Sequence, residues 1–138
     1  MRLISRSEKQ TFNFAKNFSK RLKGGEVIGL IGNLGAGKTI FTKGLAAGLG
    51  IIKNITSPTF VLMRVYPVKS RRIKQLVHID AYRVKSARDL TAIGADDYFN
   101  QPSTVTTIEW ADKIKKILPK QARLIKITIN KTLRIINY

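Results

Sequence analysis

Residues 32–39 read Gly32-Asn33-Leu34-Gly35-Ala36-Gly37-Lys38-Thr39. The spacing is that of G-x-x-x-x-G-K-[ST], a turn whose glycines let backbone N–H groups point at phosphate oxygens. The flanks agree with it. Val27-Ile28-Gly29-Leu30-Ile31 is an apolar run of strand length that enters the turn directly, and Phe41, Leu45 and Leu49 follow at helical spacing, with Gly50 at the C-cap position. A chance match in a chain this short is on the order of 1%. Strand, turn and helix together place the positive helix N-terminus beside the bound anion. In such a loop Lys38 reaches the β/γ-phosphates and the Thr39 hydroxyl holds Mg²⁺.

The segments around this unit alternate between helix and strand signals. Ser7 with Gln10 makes a capping box, and Phe14, Phe18 and Leu22 give the helix that follows an apolar face to about Leu22, before Gly24-Gly25. After the polar stretch 53–58, Thr59–Tyr66 reads as a strand, Pro67–Lys74 as a basic turn and Gln75–Ile79 as a second strand. That pair is expected to be antiparallel. Ser86 caps a short helix through Asp89 and Leu90 that Gly94 breaks, and Asp97-Tyr98-Phe99 leads into a loop at Pro102. Thr104–Ile108 is a β-branched strand, Asp112–Leu118 a short helix stopped by Pro119, and Leu124–Ile129 with Thr132–Ile136 a closing hairpin. The fold class is therefore α/β: a three-layer sandwich of the P-loop NTPase kind, whose mixed sheet carries an antiparallel hairpin after the loop helix. All 138 residues are expected to form one domain.

Composition removes several chemistries. There is no cysteine, hence no disulfide or thiolate site, and one histidine does not make a zinc centre. No apolar run approaches the ~20 residues of a membrane span, and the first residues lack the apolar core of a signal peptide, so a cytoplasmic protein with no membrane partner is expected. Lysine and arginine number 26 against 8 acids, a net charge of +18. Such a field attracts polyanions, RNA first among them. A lysine-rich composition spread from Arg2 to Arg134 has the same charge without any nucleic-acid partner.

Eight acids can be weighed individually. Asp80 follows Leu76-Val77-His78-Ile79 and Glu109 follows Val105-Thr106-Thr107-Ile108, so both stand at strand ends, where ligands of open α/β sheets bind. One would be the second Mg²⁺ anchor beside Thr39, the other would orient or deprotonate the attacking water, and the roles are interchangeable at this level. Asp89 and Asp112 suit first helical turns, Asp96 and Asp97 suit turns, Glu26 opens a strand, and helix capping accounts for Glu8. His78 reads as a hydrogen-bonded packing residue and Trp110 as a packed aromatic next to Glu109. Tyr82 and Arg83 share the loop after Asp80.

The ordered set G-N-L-G-A-G-K-T (32–39), S-P-T-F (57–60), H-I-D-A-Y-R (78–83), G-A-D-D-Y-F (94–99) and I-E-W (108–110) resembles the TsaE (YjeE) family across nearly the whole chain. Those proteins are small P-loop ATPases of bacterial tRNA threonylcarbamoyladenosine synthesis. The resemblance implies ATP and Mg²⁺ as cofactors, slow hydrolysis, and action with the TsaD and TsaB proteins. It also implies modification of the adenosine next to the anticodon in tRNAs that read codons beginning with A. By position, Gly35, Ala36, Gly37, Lys38, Thr39 and Ile40 would hold the phosphates, Thr39 and Glu109 would ligate Mg²⁺, and Asp80 would support hydrolysis. Glu8 aligns with a position near the nucleotide, and Ser57-Pro58-Thr59 resembles a segment that senses the γ-phosphate. Contact with tRNA would come through the complex, direct contact being the alternative that the charge keeps open.

Two positions depart from the family pattern: Asn33 stands where Asp or Glu is usual, and Val65 where Glu is common. Two other functions fit the loop. A small P-loop kinase would need an acceptor pocket and a basic lid, for which only residues 67–74 offer themselves. A basic RNA-binding or scaffold protein would keep a nucleotide site that does not turn over.

Overall fold

The computed structural model describes residues 1–58 and 61–138. Seven strands form one mixed sheet: β1 (Arg2–Ser5), β2 (Val27–Ile31), β3 (Met63–Pro67), β4 (Gln75–Asp80), β5 (Thr104–Glu109), β6 (Arg123–Asn130) and β7 (Leu133–Asn137). Their order is β1-β7-β6-β2-β5-β4-β3. β2 lies at the centre, parallel to β5 and β6, and β4 is parallel to β5. The edges are antiparallel: β3 on β4, and β1 on β7 on β6. The expected antiparallel hairpin after the loop helix is thus the β3–β4 edge.

Alternation along β2 assigns the two faces. Ile28 and Leu30 join the cluster built from α1 (Glu8–Ser19) and α2 (Lys38–Gly48), with Phe18, Phe41 and Leu45 at its middle. Val27 and Ile31 face the opposite cluster, where Leu90 of α3 (Ala87–Ala92) packs with Ile79, Ile108 and Ile114. The result is three layers, as the α/β reading requires. Among the described residues no helix is long and apolar enough to cross a membrane.

Several elements differ from the sequence expectation. β1 carries no strand signal of its own; its four residues gain their reason from β7, which pairs Leu3 with Ile136, 133 positions later. α1 stops at Ser19, and Lys20 to Leu22 finish in a turn closed by the N–H of Leu22 on the Ser19 carbonyl. Its cap is a variant box: Ser7 Oγ accepts from Gln10 N, but the Gln10 side chain accepts from Arg6 N at 2.7 Å, one residue earlier than usual. The strand expected over 59–66 begins at Met63, because the N–H groups of Val61 and Leu62 both donate to the Pro58 carbonyl. Its first two residues lie outside the described ones. Ser86 does cap α3, with Asp89 completing the box. Ala95–Tyr98 and Ala111–Ile117 are 3-10 segments, and Ile114 at φ −124 breaks the second in two, so the helix expected over 112–118 starts one residue earlier, is wound tighter and is interrupted.

Candidate phosphate and metal site

Three glycines shape the loop between β2 and α2, each for a separate reason. A Cβ on Gly32 would stand 2.3 Å from the Ile127 carbonyl oxygen of β6, so only glycine allows that approach. Gly35 and Gly37 have φ of +76 and +105, a region that costs other residues energy. Gly37 is the N-cap of α2, with no capping side chain, and the first turn of that helix holds no acid. No acidic side chain of the helix's own first turn therefore competes for its leading N–H groups. Ala36 differs from its neighbours: its methyl is buried in the core and its N–H donates to the Asn33 carbonyl at 3.1 Å.

Lys38 is folded back over this turn. Its Nζ donates to the Gly32 carbonyl at 2.6 Å and the Asn33 carbonyl at 2.9 Å, and lies 3.8 Å from the centre of the Trp110 ring. Burial pushes its pKa below the ordinary lysine value, against the pull of Glu109, Asp80 and Asp112. Asn33 contributes through its backbone carbonyl, which any residue in its place would supply. Trp110 holds φ +60, an uncommon conformation for an aromatic residue, and Tyr82 packs on it at 5.0 Å between ring centres.

The two strand-end acids meet. β4 and β5 run parallel in a register that sets Asp80 beside Glu109, and Glu109 beside Leu30 of β2. Glu109 accepts from the Thr39 hydroxyl through Oε2 at 2.9 Å and from His78 Nε2 through Oε1 at 2.9 Å. His78 is fully buried, so it fixes the carboxylate from below, as a packed hydrogen-bonding residue does. Asp80 accepts from the Ser57 hydroxyl at 2.7 Å and from the Tyr82 N–H at 2.9 Å. Thr59 of the same segment lies outside the described residues.

These groups surround one cleft of about 350 Å³, lined among others by Glu8, Gly35, Gly37, Lys38, Thr39, Ile40, Ser57, Asp80 and Glu109. Of the residues expected to hold phosphate or metal or to support hydrolysis, all but Ala36 border it. Glu8 sits at its rim, two-thirds exposed, with Arg134 Nη2 3.5 Å away. The donor set fits a polyphosphate with Mg²⁺. Among the described residues no three His, Cys, Asp or Glu side chains form a self-contained metal cage. The Thr39 hydroxyl and the Glu109 carboxylate would be the few protein oxygens that Mg²⁺ needs where phosphates and water complete its shell.

The model of the family described as threonylcarbamoyl adenosine biosynthesis protein TsaE matches residues 5–136. The chain belongs to the TsaE family. TsaE proteins from several bacteria are similar over most of its length. That of Treponema pallidum is 40% identical over 129 residues, 94% of this chain and 92% of the relative. That of Borreliella burgdorferi is 38% identical over 128 residues, 93% and 90%. The crystal structure of Bacillus subtilis YdiB superposes with a TM-score of 0.81 at 33% identity, covering 99% of this chain and 82% of that one. Membership in TsaE gives the protein a role in tRNA threonylcarbamoyladenosine biosynthesis.

Signals for most of this site are local in sequence. Arg134, which packs against Gly37 from β7, carries no such signal. It follows no motif, and only the strand order brings it to the loop.

Proposed function

We propose that the chain is a slow, Mg²⁺-dependent ATPase that acts with TsaD and TsaB. Its ATP cycle would serve threonylcarbamoylation of the adenosine next to the anticodon in tRNAs reading codons that begin with A. The observation that carries this is the Thr39–Glu109 hydrogen bond at 2.9 Å, which joins the first turn of α2 to a carboxylate on the neighbouring strand. That hydroxyl and that carboxylate are the pair a phosphate-bound Mg²⁺ needs from the protein.

In this reading the N–H groups of Gly35, Gly37, Lys38, Thr39 and Ile40 hold the phosphates, and Lys38 exchanges its two loop carbonyls for β/γ-phosphate oxygens. Bound Mg²⁺ would neutralise charge on those same oxygens. His78 keeps Glu109 aimed at Thr39. Asp80 orients the attacking water or takes its proton, and it begins tied to Ser57 and the Tyr82 N–H. A base already holding two donors is consistent with slow turnover. Membership in the family supports this choice of partner proteins and of ATP.

The test is a multiple-turnover threonylcarbamoyl-transfer assay with TsaD, TsaB, tRNA and ATP, with and without this chain. Lys38→Ala should abolish the stimulation and weaken MgATP binding on the order of 100-fold, the worth of two charge-assisted contacts. Asp80→Ala should slow hydrolysis more than it weakens binding. Full stimulation by Lys38→Ala would refute the reading.

A further inference from the structure

The cleft has two unlike sides. β5 and β4 lie on one side of β2 and bring Glu109 and Asp80. β6, β7 and β1 lie on the other and bring Arg134 from β7 and Glu8 just past β1. The carboxylate side, where Thr39 meets Glu109, is the metal side.

On the far side, Arg134 is incompletely partnered. Its Nη2 stands 3.5 Å from Glu8 Oε1, long for a charge pair, and Glu8 is mostly exposed. Its Nε is buried and meets no hydrogen-bond acceptor among the described residues. The same Nε lies 3.2 Å from where a Cβ on Gly37 would stand, so the guanidinium packs against the last glycine of the loop. A buried donor without an acceptor is costly and calls for a reason. Here the guanidinium stands between Glu8 and Gly37, both of which line a cleft whose other features suit an anion.

A polyphosphate anchored at Lys38, with its metal at Glu109, directs its other end away from β5, toward β7. We propose that Arg134 is a nucleotide-binding residue that takes the nucleoside-proximal phosphate, while Glu8 holds its guanidinium against Gly37. This rests on the nucleotide reading above and deepens it: the N- and C-terminal strands complete the phosphate site from the side opposite the metal. It also gives Glu8 a role at the cleft, through the arginine it orients.

The test compares Mg²⁺ with ATP, ADP and pyrophosphate by titration calorimetry, for the unchanged chain, Arg134→Gln, Arg134→Lys and Lys38→Ala. Arg134→Gln should weaken ATP and ADP each about tenfold or more, the worth of one charge-assisted contact. It should leave pyrophosphate within about twofold, because pyrophosphate fills the loop without the nucleoside-proximal phosphate. Arg134→Lys should fall between, keeping the charge and losing the planar fork. Thermal melting checks folding; if Arg134→Gln does not fold, the ATP-to-pyrophosphate ratio of Arg134→Lys decides instead. Unchanged ATP affinity would overturn the proposal, and so would an equal loss for pyrophosphate, which marks a general distortion of the loop. Undiminished ATP binding by Lys38→Ala would fell the nucleotide reading itself. Loss in Lys38→Ala with none in Arg134→Gln would fell only the role of Arg134.

Discussion

Lys38 shows how one side chain records the state of the site. It is held by two carbonyls and an aromatic face, and burial lowers its pKa below the ordinary 10.5. A bound polyphosphate surrounds it with negative charge and raises that pKa again. Between the lowered and the raised value the bound protein carries more protons than the free one. Binding therefore takes up protons in that window, and affinity declines as pH climbs through it. Calorimetric titrations with MgATP at alkaline pH, in two buffers of unlike ionisation enthalpy, should show proton uptake by the unchanged chain. Lys38→Met, titrated to saturation, should show less; equal uptake by both would remove Lys38 as the titrating group. At this scale the site was largely legible in the sequence. The loop glycines, Lys38 and Thr39 are a contiguous motif, and Asp80 and Glu109 each end an apolar run. What could not be read was which groups touch: His78 on Glu109, Ser57 on Asp80 and Arg134 on Gly37 are separated in sequence by 31, 23 and 97 positions. The positive φ of Trp110 was hidden for a similar reason, since nothing in its own residue type asks for it.

At the scale of elements, the contact between α1 and α2 sets the position of the loop. α2 carries Lys38 and Thr39 at its start and rests on α1 through two glycines. A Cβ on Gly44 would stand 2.4 Å from the Phe12 carbonyl oxygen and 2.7 Å from the Ala15 methyl, and one on Gly48 would meet Ser19 Oγ at 1.8 Å. Helix propensity alone predicts that Gly44→Ala stabilises by about 1 kcal/mol. Backbone contact at this distance works the other way: forcing the helices apart costs roughly 1–3 kcal/mol and more where backbone must move. The clash is with a carbonyl that cannot rotate away, so the second effect should win. Gly44→Ala should lower the melting temperature by several degrees; a rise would mean that the helices separate freely. Elements with a strong local period were readable from sequence: α1, β2, α2, β4 and β5 lie within a few residues of expectation. The misses share a cause. β1 exists because β7 offers an edge, the start of β3 is set by the turn on the Pro58 carbonyl, and Ala111–Ile117 is tightened by packing on β2. Each is decided by a distant partner, and local propensity is silent about that.

For the whole molecule, the charge of +18 is the term that pairing leaves unanswered. The acids are largely spoken for: Glu109 and Asp80 face the cleft, Glu26 accepts from the N–H groups of Lys23 and Gly24, and Asp89 caps α3. Glu8 with Arg134 is a loose pair at the rim. Most lysines and arginines therefore face solvent and one another. Their repulsion destabilises the compact state, more so when salt is scarce and the screening length is long. That length falls from roughly 30 Å at 0.01 M salt to about 8 Å at 0.15 M, so most of the relief comes early in a salt titration. The melting temperature of the nucleotide-free chain should rise by several degrees between those concentrations and then level off. Hydrophobic strengthening by salt would instead keep rising at molar concentrations and depend on the anion. Lys115 and Lys116 are both exposed on the segment after Trp110, away from the cleft lining. Replacing both by Glu changes the net charge by four without touching the core. The doubly substituted chain should melt higher than the original at 0.01 M salt, and its further gain on adding salt should be smaller. If it melts lower, or if the original chain ignores salt below 0.15 M, the basic surface is locally balanced and the long-range repulsion inferred from composition is absent.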